Sequence, residues 1–238
     1  MIGLADRQRP SIDRRLLLQG LAGIALLPDL DSARAAAPAR GTLDWQEFLD
    51  QIRPEALRLA RDLGFSPESY VRRLSSEVLR VREVPGTDLQ PVAWMAPLMH
   101  FGMLSMGRPF AVVEWRMEPG ARQPCHNHPN GSVCTLLLEG ELLLENFDLA
   151  ANSGPATDRS IRLRRTRSER LFPGRTSVLT PEENNFHRLT AGSNGARGID
   201  LNTVHGPTQP FSYVSFASEP DEDGFLEGAW YDPSSTVR

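Results

Sequence analysis

Two imidazoles stand one residue apart in Cys125-His126-Asn127-His128, and that spacing is the strongest chemical signal in the chain. Alternate residues of a strand face the same side, so His126 and His128 project together while Asn127 points away. Imidazole nitrogen suits zinc, copper, iron and nickel alike. A third histidine, His187, follows the strand-like run Thr176–Leu179 and the turn Pro181-Glu182-Glu183-Asn184-Asn185. Strands distant in sequence meet across a β-barrel, so His187 can complete a three-histidine face that ligates a metal ion. His100 follows Leu98-Met99 and reads as a packed residue.

Composition narrows the alternatives. The 238 residues are 40% hydrophobic and 24% charged, which supports a buried core and argues against disorder. A formal net charge of −4 weighs against a nucleic-acid partner. Every basic residue is an arginine, which excludes a Schiff-base lysine and a phosphate-loop lysine. Cys125 and Cys134 are too few for a disulfide scaffold or a four-cysteine zinc site. They flank the histidine pair and its turn, either bridged, as an exported protein permits, or as two buried thiols. No window reaches the ~18 apolar residues of a membrane span, so no stable membrane insertion is expected.

The elements that must position the histidines lie in residues 92–218. Short runs at Phe110–Met117, Ser132–Leu138, Glu141–Phe147, Arg159–Leu163, Thr176–Leu179 and Ala196–Val204 read as strands, separated by turns such as Pro119-Gly120 and Pro129-Asn130-Gly131. This texture predicts a mainly β domain, an antiparallel sandwich or barrel. The arginine-rich segment 159–175 reads as a solvated edge strand, and residues 219–238 as an acidic tail that neutralises it. Residues 36–91 predict a helical extension of three helices. Thr42 caps the first through Gln51, Pro54 opens a second that Gly64 ends, and Ser66-Pro67-Glu68 opens a third with Tyr70, Leu74, Val78 and Val81 on one side.

Residues 1–35 read as an export signal. Arg14-Arg15 precede an uncharged stretch to Pro28, and Ala33-Arg34-Ala35 supplies an A-x-A cleavage site. The paired arginines directly before the apolar run resemble a twin-arginine signal, which implies export of a folded protein to the periplasm through a dedicated export machinery.

Gly120, His126-Asn127-His128 and Gly140, followed by the segment from Pro181 to His187, resemble the two motifs of the cupin superfamily. Ser132 and Val133 stand where the common motif has a glutamate, which directs the resemblance toward the three-histidine thiol dioxygenases. Within them, Phe110 to Gly120, His126-Asn127-His128-Pro129, Leu136 to Gly140, Asn185-Phe186-His187 and Gly198-Ile199-Asp200-Leu201 are similar to the cysteamine dioxygenase and plant cysteine oxidase branch. The resemblance covers residues 92–218. It implies a cupin-type antiparallel β-barrel and iron(II) held by His126, His128 and His187. It also implies oxidation of an aminothiol or of a peptide's N-terminal cysteine by O₂ to a sulfinic acid. Asp200 matches the branch's aspartate, which would orient the substrate amine or a ligand histidine.

Three departures bear on this. Asn130 displaces the glycine expected after His128-Pro129. His205-Gly206 stand where a tyrosine is expected, which makes His205 a pocket candidate, and Tyr213 matches a later family tyrosine. Cys134 is one position beyond the slot that carries a thioether crosslink in cysteine dioxygenases. Manganese, nickel, copper or zinc also fit three imidazoles. A metal-bearing cupin that senses a ligand, or a cupin oxidase or isomerase, would present the same residues.

Overall fold

A reciprocal capping box opens the first helix. Asp44 Oδ1 accepts from the Glu47 N–H at 2.7 Å, and Glu47 Oε2 accepts from the Asp44 N–H at 3.0 Å. α1 (Trp45–Arg61) therefore starts after Asp44, not at Thr42. It also runs through Pro54, where a break between two helices was expected. Proline removes one donor, the one that would meet the Asp50 carbonyl, and Asp50 is exposed to water that can take its place. α2 (Pro67–Val78) begins as the sequence predicts: Ser66 caps it by accepting from the Ser69 N–H, and Pro67 occupies the first turn. The computed structural model describes residues 41–61, 64–93, 95, 98–150, 160–205, 211–216 and 218–232, all in the compact unit Pro38–Arg238. The export signal read over residues 1–35 lies outside them.

Among the described residues ten strands follow: β1 (Gln90–Pro91), β2 (Met99–Gly107), β3 (Phe110–Met117), β4 (Arg122–Asn127), β5 (Gly131–Leu149), β6 (Ser160–Leu171), β7 (Thr176–Leu179), β8 (Phe186–Val204), β9 (Tyr213–Phe216) and β10 (Phe225–Tyr231). β5 and β8 each pass from one sheet into the other. The first half of β5 pairs with the second half of β8 beside β3 and β7, and its second half pairs with the first half of β8 beside β6 and β4. Gly140 and Gly195 form the corner. Both have positive φ, 78° and 77°, and a Cβ on Gly140 would collide with the Gly195 carbonyl. This is why the two runs on either side of Gly140 form one strand: the glycine bends the chain and does not end it.

β9 and β10 connect β4 to β6, so β8, β4, β9, β10, β6 and β5 close a ring, a closed antiparallel β-barrel. β6 is accordingly not the edge strand expected of the arginine segment, because β10 covers residues 160–164 on the side away from β5. β10 itself comes from the segment read as an acidic tail.

Alternation along the strands distributes the core. Cys134, Leu136, Ile199 and Leu201 face Tyr70, Leu74 and Val78 of α2, where the Tyr70 hydroxyl lies 2.8 Å from Thr203 Oγ1. Trp115, Met117 and Leu137 of one sheet meet Leu142, Leu144 and Leu189 of the other. Cys125, Phe147, Phe186, Val214 and Leu226 gather inside the ring. Each such side chain contributes about 1.5–3 kcal/mol on burial. The cysteines are both free, and buried in different clusters.

Candidate metal centre

β4 carries one extra residue opposite β8. Gln123 pairs with Leu189 and His126 with His187, so three steps on β4 span two on β8. The resulting bulge brings the Pro124 carbonyl to 3.0 Å from His126 Nδ1. A carbonyl only accepts, so Nδ1 carries the proton and Nε2 keeps its lone pair. His187 Nε2 lies 3.0 Å from His126 Nε2 and 3.0 Å from His128 Nε2. Burial pushes the His126 imidazole down to about 4, against the opposing pull of the Pro124 carbonyl. It pushes His128 and His187 well below the usual range, helped by the neighbouring imidazoles.

Three buried, neutral nitrogens therefore converge. One proton can bridge only one pair of them, whereas a cation serves all three. The donor set fits a metal ion held by His126, His128 and His187.

His128 lies just beyond β4 and is held by Asn185. The His128 N–H donates to Asn185 Oδ1 at 3.3 Å, while Asn185 Nδ2 donates to the His128 carbonyl at 3.4 Å and the Thr180 carbonyl at 3.2 Å. Asn185 thus joins the turn after β7 to the histidine pair; the sequence placed it in the motif Asn185-Phe186-His187 but gave it no role of its own. After His128, Asn130 adopts φ +55° and Gly131 follows with its N–H on the His128 carbonyl at 3.1 Å. Asparagine tolerates that left-handed conformation, so the displaced glycine costs the turn nothing.

Asp200 stands on β8 opposite Thr135, whose hydroxyl donates to Asp200 Oδ1 at 2.7 Å. Burial raises its carboxyl to about 6, against the pull of the Thr135 hydroxyl and, more weakly, of the Trp115 indole. It shares the space between the sheets with the histidines, but no hydrogen bond joins it to them among the described residues. Tyr213 pairs with His126 across β4 and β9, its ring 5.5 Å from the imidazole. The His205 N–H donates to the Asn130 carbonyl at 2.8 Å, and its buried Nε2 has no partner among the described residues. Phe211, which no sequence signal singled out, is 48% exposed and stacks near His128 and His126, centroids 4.6 and 5.6 Å away. Asn146, in register with His187, has a buried Oδ1 with no hydrogen-bond partner among the described residues.

A family model described as PCO_ADO matches residues 49–202. Plant cysteine oxidase 1 of Arabidopsis thaliana is 28% identical over 149 residues, 61% of this chain and 44% of that protein. Plant cysteine oxidase 2 of the same plant is 25% identical over 165 residues, 68% and 51%. The chain spans about half the length of these curated relatives. Among solved structures, KdgF from Halomonas sp. aligns with a TM-score of 0.37 at 18% identity, over 49% of this chain and 87% of that one. An oxalate oxidase in complex with the substrate analogue glycolate aligns at 0.38 and 15%, over 52% and 58%.

Proposed function

Because the chain belongs to the PCO_ADO family of cupin thiol dioxygenases, its model matching residues 49–202, we propose that it is a non-haem iron enzyme acting on a small aminothiol or an N-terminal cysteine. The observation that carries this reading is the convergence of His126, His128 and His187 as neutral donors, with no carboxylate among them. Iron(II) bound there supplies open positions for a thiolate and for O₂, and the net conversion of thiol and O₂ to sulfinic acid needs no external reductant. The plant cysteine oxidases named above point to the same substrate class.

The chain's own residues prepare that site. The Pro124 carbonyl holds the His126 proton on Nδ1, and Asn185 holds the His128 backbone from both sides. Asp200, charged above about pH 6, pairs with the substrate ammonium, and Thr135 keeps its carboxylate oriented. Phe211 and Tyr213 cover the histidines with aromatic surface and exclude water. His205 lies at the end of β8, where its free nitrogen can meet a polar part of the substrate.

The test is to incubate the ferrous protein with cysteamine, cysteine and a peptide that begins with cysteine. The proposal expects a product heavier by two oxygen atoms from cysteamine or the peptide. No such product from any thiol would leave a ligand-binding cupin as the better reading. Arg14-Arg15 and the Ala33-Arg34-Ala35 site support action outside the cytoplasm. Amino-terminal sequencing of the periplasmic fraction should then start at Ala36.

A further inference from the structure

Behind the histidine face the same strands line a pocket open to solvent. It measures about 460 Å³, within the range of small-ligand sites, and Cys125, Arg188 and Val214 line it in place of their neighbours His126, His187 and Tyr213. Arg188 is its fixed charge. The side chain is 5% exposed, its Nε donates to Glu145 Oε2 at 2.7 Å, and its Nη2 donates to Glu219 Oε2 at 2.9 Å.

The two carboxylates differ in kind. Glu145 is as buried as Arg188 and belongs to the core. Glu219 is 65% exposed, comes from the segment between β9 and β10, and reaches in to Arg188 and, at 3.6 Å, to Arg122 Nη1. An exposed glutamate seated on a buried guanidinium at a cavity mouth occupies the place an external anion would take. Water can solvate the exposed Glu219 carboxylate when it leaves, so displacing it is cheap, whereas an unpaired Arg188 would be costly.

We propose that this cavity binds a small organic monocarboxylate, whose carboxylate replaces that of Glu219 on Arg188 and Arg122 while its apolar part lies against Val214 and Phe216. Glu145 is shared between Arg188 and, at 3.5 Å, Arg165, so with Glu219 withdrawn one incoming carboxylate restores the pairing that Glu219 gave Arg188 and Arg122. A dianion such as phosphate would bring excess charge toward Glu145, which already shares Arg188 Nη2 at 2.6 Å. A carboxylate's two oxygens also match the planar donor fork of arginine. None of the three histidines lines this cavity, so the inference stands apart from the proposed activity.

Calorimetric titration of the full chain tests it. The arms are butyrate and benzoate as free acids, an N-acetylated dipeptide as a chain-terminal carboxylate, butyramide as a neutral control, and inorganic phosphate. A carboxylate should saturate one site, with butyramide and phosphate inert, and the tighter of the free acid and the peptide identifies the source. Glu219→Ala, which removes the competing carboxylate, should tighten binding about fivefold, and Arg122→Gln should weaken it. Arg188→Met alone leaves the buried Glu145 with only the more distant Arg165, at 3.5 Å, so the double variant Arg188→Met with Glu145→Gln serves instead, and it should fold and lose binding. Saturation by no carboxylate in either wild type or Glu219→Ala would overturn the proposal. So would equal binding of butyramide, or retention of binding in the double variant.

Discussion

The strands that carry His126 and His187 present two opposite solutions to buried polarity. On one face His126, His187 and Asn146 are neutral, and the imidazoles aim lone pairs at a common point. One residue away on the other face, Cys125, Arg188 and Glu145 border a buried ion pair, with Arg188 held by two carboxylates. The histidine face is satisfied only when a cation arrives, whereas the arginine face is already satisfied internally. Period-two alternation lets one backbone build both, and it places the two environments within a residue of each other.

Removing a group from each face should separate them. His187→Ala should lose metal retention, read by metal analysis after ferrous loading, and drop thiol-dependent O₂ consumption to background while the chain stays folded. Arg188→Met should act on stability instead: it leaves the buried Glu145 with only Arg165, at 3.5 Å, and should cost up to about 3 kcal/mol in denaturant unfolding. A variant at Arg188 that kept full stability but lost metal would erase the distinction between the faces.

Asp200 sharpens the comparison through pH. Its folded-state carboxyl titrates near 6 against 3.8 for an ordinary aspartate, because burial disfavours the charge. A raised carboxyl favours the folded state fully below about pH 4, and that advantage is lost as pH rises through about 6. Wild type should therefore weaken by about 2–3 kcal/mol relative to Asp200→Asn between pH 4 and pH 7, measured as the difference between their unfolding free energies. A pH-independent difference would contradict the burial argument. The smallest effect is expected at Asn185, which touches the His128 backbone and not the ring. Asn185→Ala should weaken metal binding by about 10–100-fold without abolishing it.

Much of this was legible in the residues. The one-residue spacing of His126 and His128 implied a shared face, and β3 and β7 begin and end where their apolar runs do. The rest depended on tertiary context. Gly140 looked like a strand terminator because a positive-φ glycine usually ends an element, and only its packing against Gly195 shows that it bends one. Pro54 looked like a helix start because the local rule does not say whether water can satisfy Asp50. Arg159–Arg175 looked like an edge because the partner that covers its first half, β10, lies far along the chain in a segment whose acidic composition suggested no structure. Asn185 and Phe211 carry no local signature of their roles, which arise from contacts across strands.

The central claim is that His126, His128 and His187 hold iron for thiol dioxygenation. Its most direct test is the stoichiometry of O₂ to thiol consumed by the ferrous protein with cysteamine or a cysteine-initiated peptide. One O₂ per thiol, with sulfinic acid accounting for both oxygens, is the predicted result. Disulfide formation without oxygen transfer to sulfur, or uptake that persists unchanged in His187→Ala, would contradict it.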